Sequence, residues 1–242
     1  MDNHGRDRET PLPPAVNRSR LSVGRFGAGA LWTGAWLALL AATVALSVLA
    51  ANHDRLPGDL SIMQWAQDQP TPGDAVSDIN RAVSGTQVVL VTGAVIAVLL
   101  WLSGRRRDAV LLAVGLAILP VLQTGVKELV DRPRPPASLV EHRAGYSSPS
   151  FPSGHVMSGT YLYGFLIALS LRARAHRALR AAVLVWSLFV VVLVGPASVY
   201  LGVHWPSDVL GGHAWALVLL LPLLLAPTFS GRWGRYRLRP GS

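Results

Sequence analysis

Apolar residues run through this chain in long blocks separated by short polar stretches. A hydrocarbon layer about 30 Å thick takes about 20 apolar residues of helix to cross, with a range of about 17–25. Six blocks come near that length, at 28–51, 86–103, 109–126, 156–171, 181–199 and 209–227. The pattern predicts an all-α integral membrane bundle of six transmembrane helices within residues 28–227. Polar, basic tails flank it at 1–27 and 228–242, the first of them disordered. Pro120, Pro196 and Pro222 fall within or near the ends of blocks, which membrane helices tolerate where neighbours satisfy the freed carbonyls. No repeat of 20–50 residues is visible. Ser47-Val48-Leu49-Ala50-Ala51 resembles a signal-peptide cleavage site. The apolar stretch before it exceeds the usual 7–15 or so residues of a signal, so the block reads as a retained span.

Charged residues make up only 14% of the chain, against roughly 25% in a soluble domain, which argues against an ordinary soluble enzyme. A hydrophobic share of 51% excludes a disordered chain. Absence of cysteine excludes disulfides and thiolate metal sites. The net charge of +9 would suggest a nucleic-acid partner if it formed one patch, but its distribution says otherwise. Of the 22 Lys and Arg residues, 16 lie in the two tails and in the loops after the second and fourth blocks. Only 6 lie on the opposite side, namely Arg55, Arg81, Lys127, Arg132, Arg134 and Arg143. The positive-inside rule then places both termini in the cytoplasm. The basic tails sit beside anionic inner-leaflet lipids, and no nucleic-acid partner is implied. Asp54, Asp59, Asp68, Asp74 and Asp78 face outward.

Three segments on that outward side interrupt the apolar pattern. The first is Lys127-Glu128-Leu129-Val130-Asp131-Arg132-Pro133-Arg134-Pro135. Lys127 is the only lysine in the chain and fits either a snorkelling interface residue or an anion ligand. The prolines bias Arg132 and Arg134 toward extended backbone, which puts both on one side of it. An ammonium with a forked guanidinium makes a phosphate clamp, although a positive loop touching lipid phosphates reads the same way. The second segment is Pro152-Ser153-Gly154-His155 at a helix start. Ser153 suits an N-cap, and Gly154 lets backbone N–H groups approach an anion. Capping alone accounts for both, but not for His155 at the charged end of an apolar helix. The third is His204-Trp205-Pro206-Ser207-Asp208. Asp208 can hold one imidazole nitrogen of His204 and leave the other as a lone pair. A helix-start carboxylate beside an incidental histidine is the alternative.

Together the segments resemble the phosphatidic acid phosphatase type 2 family, membrane lipid phosphatases related to bacterial acid phosphatases and vanadium haloperoxidases. That family carries a Lys-x6-Arg-Pro motif, a Pro-Ser-Gly-His motif and a Ser-Arg-x5-His-x3-Asp motif. Lys127 to Arg134-Pro135 fits the first, residues 152–155 the second, and His204 with Asp208 the latter half of the third. The resemblance covers about residues 86–225. One position departs from it, since Ala197-Ser198 stands where Ser-Arg is expected. Arg132 and Arg143 are the candidate compensating cations on the same face, Arg132 being nearer the clamp.

The resemblance implies that His204 is the nucleophile and that Asp208 fixes its tautomer. His155 would protonate the leaving oxygen and later activate water. Lys127, Arg134, Ser153 and the Gly154 amide would bind the phosphate, and no metal or other cofactor would take part. The expected activity is hydrolysis of a lipid phosphate or polyprenyl diphosphate at the outer face of the cell membrane. The vacant arginine position motivates a second reading, a protein of the same fold that binds or transfers lipid phosphates with weak hydrolysis. A transporter or flippase is a third, but it would carry ionisable residues near the midplane, where His213 is the main polar exception. Vanadate-dependent oxidation would fit the same anion site but not the membrane frame. The outward carboxylates are not grouped as a two-metal phosphatase needs.

Overall fold

The computed structural model describes residues 20–70, 73–145, 148–173 and 175–225, and among these every regular element is a helix. The helices are α1 (Arg20–Asn52), α2 (Asp59–Gln67), α3 (Gly73–Ser84), α4 (Thr86–Leu102), α5 (Arg106–Val130), α6 (Gly154–Arg172), α7 (Arg177–Tyr200) and α8 (Pro206–Leu225). The chain divides into two compact units, Met1–Ala35 and Trp36–Ser242. Described structure in the first is the beginning of α1. Residues 20–27, expected in the disordered tail, are therefore helical. The rest of both expected tails lies outside the described residues, and so do residues 226–227 of the last block.

Four helical segments are long and apolar enough to cross a membrane: Gly29–Asn52, α5, α7 and α8. Ala75–Ser84 and Thr86–Leu102, bent by 42° around Gly85, qualify jointly as a fifth. The expected block at 156–171 is α6, which has the length, at 19 residues, without the same apolarity. Its position explains why. α6 packs against α7, α8, α4, α3 and α5, so it meets protein more than lipid and can carry hydroxyls that its neighbours satisfy. The Ser158 and Thr86 hydroxyls lie 3.0 Å apart, and the Tyr161 and Tyr163 hydroxyls donate to the carbonyls of Leu112 (3.2 Å) and Val83 (3.1 Å). Thr160 Oγ1 lies 2.7 Å from His213 Nδ1, so His213 is a partnered interior histidine rather than a bare polar group.

Small residues let these helices approach. A Cβ at Gly115 of α5 would meet the Tyr161 hydroxyl at 1.8 Å, and one at Gly93 of α4 would meet Leu116 at 2.7 Å. Leu112, Leu116, Leu119, Met157, Tyr161 and Phe165 form the largest apolar core. From Trp36 onward α1 is tied to α8, where Trp36 Nε1 donates to the Val218 carbonyl (3.0 Å) and Trp215 Nε1 to Ser47 Oγ (3.1 Å). By contrast Val91, Val95 and Leu99 of α4, with Val185, Phe189 and Val192 of α7, stand exposed, as lipid-facing side chains do.

The α5–α6 connection crosses one end of this bundle. α5 stops at Asp131, which takes the left-handed conformation (φ 44°) and returns its N–H to the Lys127 carbonyl at 2.9 Å. Gln67 at the end of α2 then bonds both the carbonyl (2.6 Å) and the N–H (3.0 Å) of Glu141, and the Arg143 N–H donates to Leu201 (3.0 Å). Gly202 is needed at this crossing: its φ is +74°, and a Cβ there would lie 2.0 Å from the Glu141 carbonyl.

Candidate active site

The three polar segments meet at this end of the bundle. Pro133, Pro135 and Pro136 keep residues 131–136 without regular structure, and both arginines of the stretch reach residues 203–208. They do different things there. Arg134 donates to the Val203 carbonyl (2.5 Å) and the Ser148 carbonyl (2.8 Å), and its Nη1 lies 3.5 Å from His204 Nε2. Lys127, nearly buried at the end of α5, bonds the Pro149 carbonyl. The loop entering α6 thus anchors both cations through its carbonyls.

His204 precedes α8 and is buried. Its Nδ1 lies 3.7 Å from Asp208 Oδ2, beyond a hydrogen bond but within ion-pair range, the looseness common before a substrate arrives. With Nδ1 toward the carboxylate and Nε2 toward Arg134, Nε2 is the nitrogen presented to an anion. Burial, the largest influence, outweighs the Asp208 contact and lowers the imidazole to about pKa 4. At neutral pH the ring is therefore neutral and carries a lone pair.

Asp208 is fully buried in the first turn of α8. Its Oδ2 accepts from the Ser150 hydroxyl (2.5 Å) and the Trp205 N–H (2.8 Å), and its Oδ1 from Arg132 Nη1 (2.6 Å). Arg132 is equally buried and bonds Asp59 Oδ2 through Nη2 (3.0 Å), Ser207 Oγ (2.7 Å) and the His53 carbonyl (3.3 Å). Asp59 in turn accepts the Ser207 N–H (2.9 Å) and hydroxyl (2.7 Å). Two carboxylates thus share one guanidinium. Arg132, expected as a compensating cation for position 198, has all three nitrogens occupied by protein, one of them bonded to Asp208. Arg143, the other candidate, pairs with Glu141 at 2.7 Å and lies 4.2 Å from the Tyr200 ring centre.

The start of α6 faces this group. The Ser153 N–H donates to the Asp208 carbonyl (3.0 Å), while the Ser153 hydroxyl is buried with no hydrogen-bond partner among the described residues. A Cβ at Gly154 would strike Gln123 Nε2 at 2.0 Å, so only glycine lets the turn sit this close to α5. His155 opens the same helix, its Nε2 against Gly85. Ser198, by contrast, is buried in α7 and turns its hydroxyl back on the Val194 carbonyl (2.8 Å). Among the described residues no three His, Asp or Glu side chains are grouped as they would be around a metal ion.

The structure therefore gathers Lys127, Arg134, Ser153, Gly154, His155, His204 and Asp208 at one end of the bundle. Sequence reasoning missed Asp59, Ser150 and Ser207. Ser207 lies inside a quoted motif and could have been weighed. Asp59 gives no local signal, being 148 residues from its partner Ser207.

Comparison with known proteins bears on this arrangement. A family model described as the PAP2 superfamily matches residues 108–232. Phosphatidylglycerophosphatase B of Bacillus subtilis (strain 168) is 33% identical over 121 residues, which is 48% of this chain and 55% of that protein. The chain thus spans about half the length of that relative. The protein named putative undecaprenyl-diphosphatase YbjG of Escherichia coli (strain K12) is 29% identical over 163 residues, 64% of this chain and 76% of that one. The crystal structure of the first transmembrane PAP2 type phosphatidylglycerolphosphate phosphatase, from Bacillus subtilis, superposes with a TM-score of 0.66 at 24% identity, over 84% of this chain and 98% of that one. Aquifex aeolicus LpxE gives 0.54 at 20% identity, over 71% and 97%. Both structures share the fold.

Proposed function

The chain belongs to the PAP2 superfamily, and we propose that it hydrolyses a lipid phosphate or polyprenyl diphosphate through a phosphohistidine. The observation that carries the reading is the orientation of His204, with a carboxylate behind Nδ1 and a cation beside Nε2. The Nε2 lone pair attacks phosphorus and forms the N–P bond as the P–O bond to the lipid breaks. The negative charge of the bound phosphate favours a protonated His155, which gives its proton to the departing oxygen. Charge that develops on the imidazole is met by Asp208, and charge on the equatorial oxygens by Lys127, Arg134, the Ser153 hydroxyl and the Gly154 amide. Water then attacks the phosphohistidine, His155 takes its proton, and phosphate leaves with His204 restored. The residues supply nucleophile, acid and cations themselves, so no metal is invoked.

Purified protein in detergent is expected to release phosphate from at least one of phosphatidic acid, phosphatidylglycerol phosphate and a polyprenyl diphosphate. EDTA should leave the rate unchanged and orthovanadate should inhibit. Loss in EDTA with recovery on adding magnesium would overturn the metal-independent step. The lowered pKa of His204 sets a pH expectation. Its neutral form reacts, so the acid limb of kcat/KM attributable to it should lie near pH 4 rather than near the ordinary value of about 6.5. The same shift makes the unfolded chain bind the proton first. Stability from this group is present above about 6.5 and is lost as pH falls through 4. A pH–rate profile of wild type, with an acid midpoint above 6, would contradict this.

The location follows from charge. Six spans, counting α3–α4 as one and including α6, with both termini cytoplasmic, would put this site at the outer face of the cell membrane. The chain has no cysteine, so single-cysteine variants report cleanly. Ala137→Cys, exposed in the α5–α6 connection, should react with a membrane-impermeant maleimide in intact cells. Ala175→Cys, between α6 and α7, should not, and the opposite pattern would reverse the orientation.

A further inference from the structure

Position 198 lacks the cation that the third motif normally supplies, and the outward-side cations can be followed one by one. Lys127 and Arg134 already belong to the clamp. Arg132 is held by two carboxylates and Arg143 by Glu141. Arg55 is exposed in the α1–α2 connection. Arg81 remains.

Arg81 lies in the last turn of α3. Its carbonyl accepts the Gly85 N–H at 3.1 Å. A Cβ at Gly85 would lie 2.7 Å from that carbonyl and 3.8 Å from His155 Nε2, so the α3–α4 break rests against the His155 ring. An extended arginine side chain spans such a gap, and the charge of Arg81 acts on the His155 imidazole. The same end of α3 lies against the turn of α7 that carries Ser198. Ile79, Asn80 and Val83 line one cleft with Val194 and Ala197, and a Cβ at Gly159 would lie 3.1 Å from Ser84 and 3.8 Å from Val194. The Arg81 side chain is exposed and makes no ion pair or hydrogen bond among the described residues, so nothing holds it away from an incoming anion.

We propose that Arg81 supplies, from α3, the phosphate-binding guanidinium that position 198 lacks, closing beside His155 to complete the clamp with Lys127 and Arg134. It rests on the phosphatase reading above. Moving this donor from α7 to α3 lets Ser198 stay buried against its own helix.

The test uses the full chain in detergent, with two readouts. One is phosphate release from the three lipid classes above; the other is the thermal shift induced by orthovanadate. Arg81→Gln should lower kcat/KM by roughly 10²-fold, the scale of one lost oxyanion donor, and should diminish the vanadate shift. Arg81→Lys should recover part of both, because a point charge replaces the fork. Arg55→Gln should behave as wild type. Turnover and vanadate shift unchanged in Arg81→Gln would overturn the proposal while leaving the phosphatase reading intact. If wild type releases phosphate from none of the lipids, the phosphatase reading fails. The vanadate shift then decides on Arg81 alone: its loss in Arg81→Gln supports the proposal, and its persistence overturns it.

Discussion

His204→Ala is expected to bring phosphate release down by roughly 10⁶-fold, the scale seen when an enzyme that works through a covalent intermediate loses its nucleophile. Among the described residues, neither His155 nor His213 is placed to take over, and His142 is engaged with the Pro135 carbonyl (2.7 Å). His155 stands at the start of α6 against Gly85, and His213 is engaged with Thr160 deeper in the bundle. Because His204 is buried, His204→Gln is the companion variant that keeps most of the volume. Both should retain the elution profile of wild type while losing turnover. Residual release within about tenfold of wild type, or about 1.4 kcal/mol in barrier, would remove His204 from the nucleophile role. A second measurement separates the two histidines. With p-nitrophenyl phosphate the leaving group needs no proton, so His155→Ala should still form the phosphoenzyme but hydrolyse it slowly. Acid-labile, alkali-stable label from the phosphoryl group should then accumulate on His155→Ala and be absent from His204→Ala.

Much of this was legible in the sequence because membrane helices and phosphate sites both leave strong local signals. Blocks of apolar residues gave the positions of α1, α4, α5, α7 and α8, since lipid on the outside demands them. α6 was the weakest block for a physical reason: surrounded by other helices, it can exchange apolar residues for Ser158, Thr160 and Tyr161, whose hydroxyls are satisfied by protein. The short helices α2 and α3 were invisible to a search for spans, being 9 and 12 residues long. The site residues lie in three compact motifs, each readable by itself. What holds them in place is not local. Asp59 carries no neighbouring signal and was read only as one outward carboxylate among several, and Ser150 looked like loop filler. Arg132 read as a partner of Arg134 because a pattern of alternating directions gives the side but not the depth. Two residues nearer the end of α5, it reaches inward to Asp208 while Arg134 stays half-buried beside His204.

That depth makes Arg132 the residue whose loss should cost the fold most. Arg132→Met leaves Asp59 and Asp208, both buried, facing one another across the vacated guanidinium. Removing one partner of a buried ion pair typically costs about 3–5 kcal/mol, which for a chain of this size would appear as a clear fall in melting temperature. Activity should fall with it, since Asp208 then loses one of the groups fixing it behind His204. The arrangement has a functional logic beyond stability. A lone guanidinium on Asp208 would neutralise the carboxylate that must offset charge on the imidazole. Asp59 shares that guanidinium, so the triad keeps a net negative charge next to Nδ1. Asp59→Asn should therefore be gentler on the fold than Arg132→Met, because it leaves one intact pair, yet it should still lower kcat more than it raises KM. The double variant Asp59→Asn/Arg132→Met should be less destabilised than the sum of the singles, by about 0.5–3 kcal/mol of coupling, as contacting residues show. Strictly additive losses in thermal denaturation, or an Asp59→Asn variant with wild-type kcat, would mean that the triad neither acts as a unit nor bears on the charge at His204.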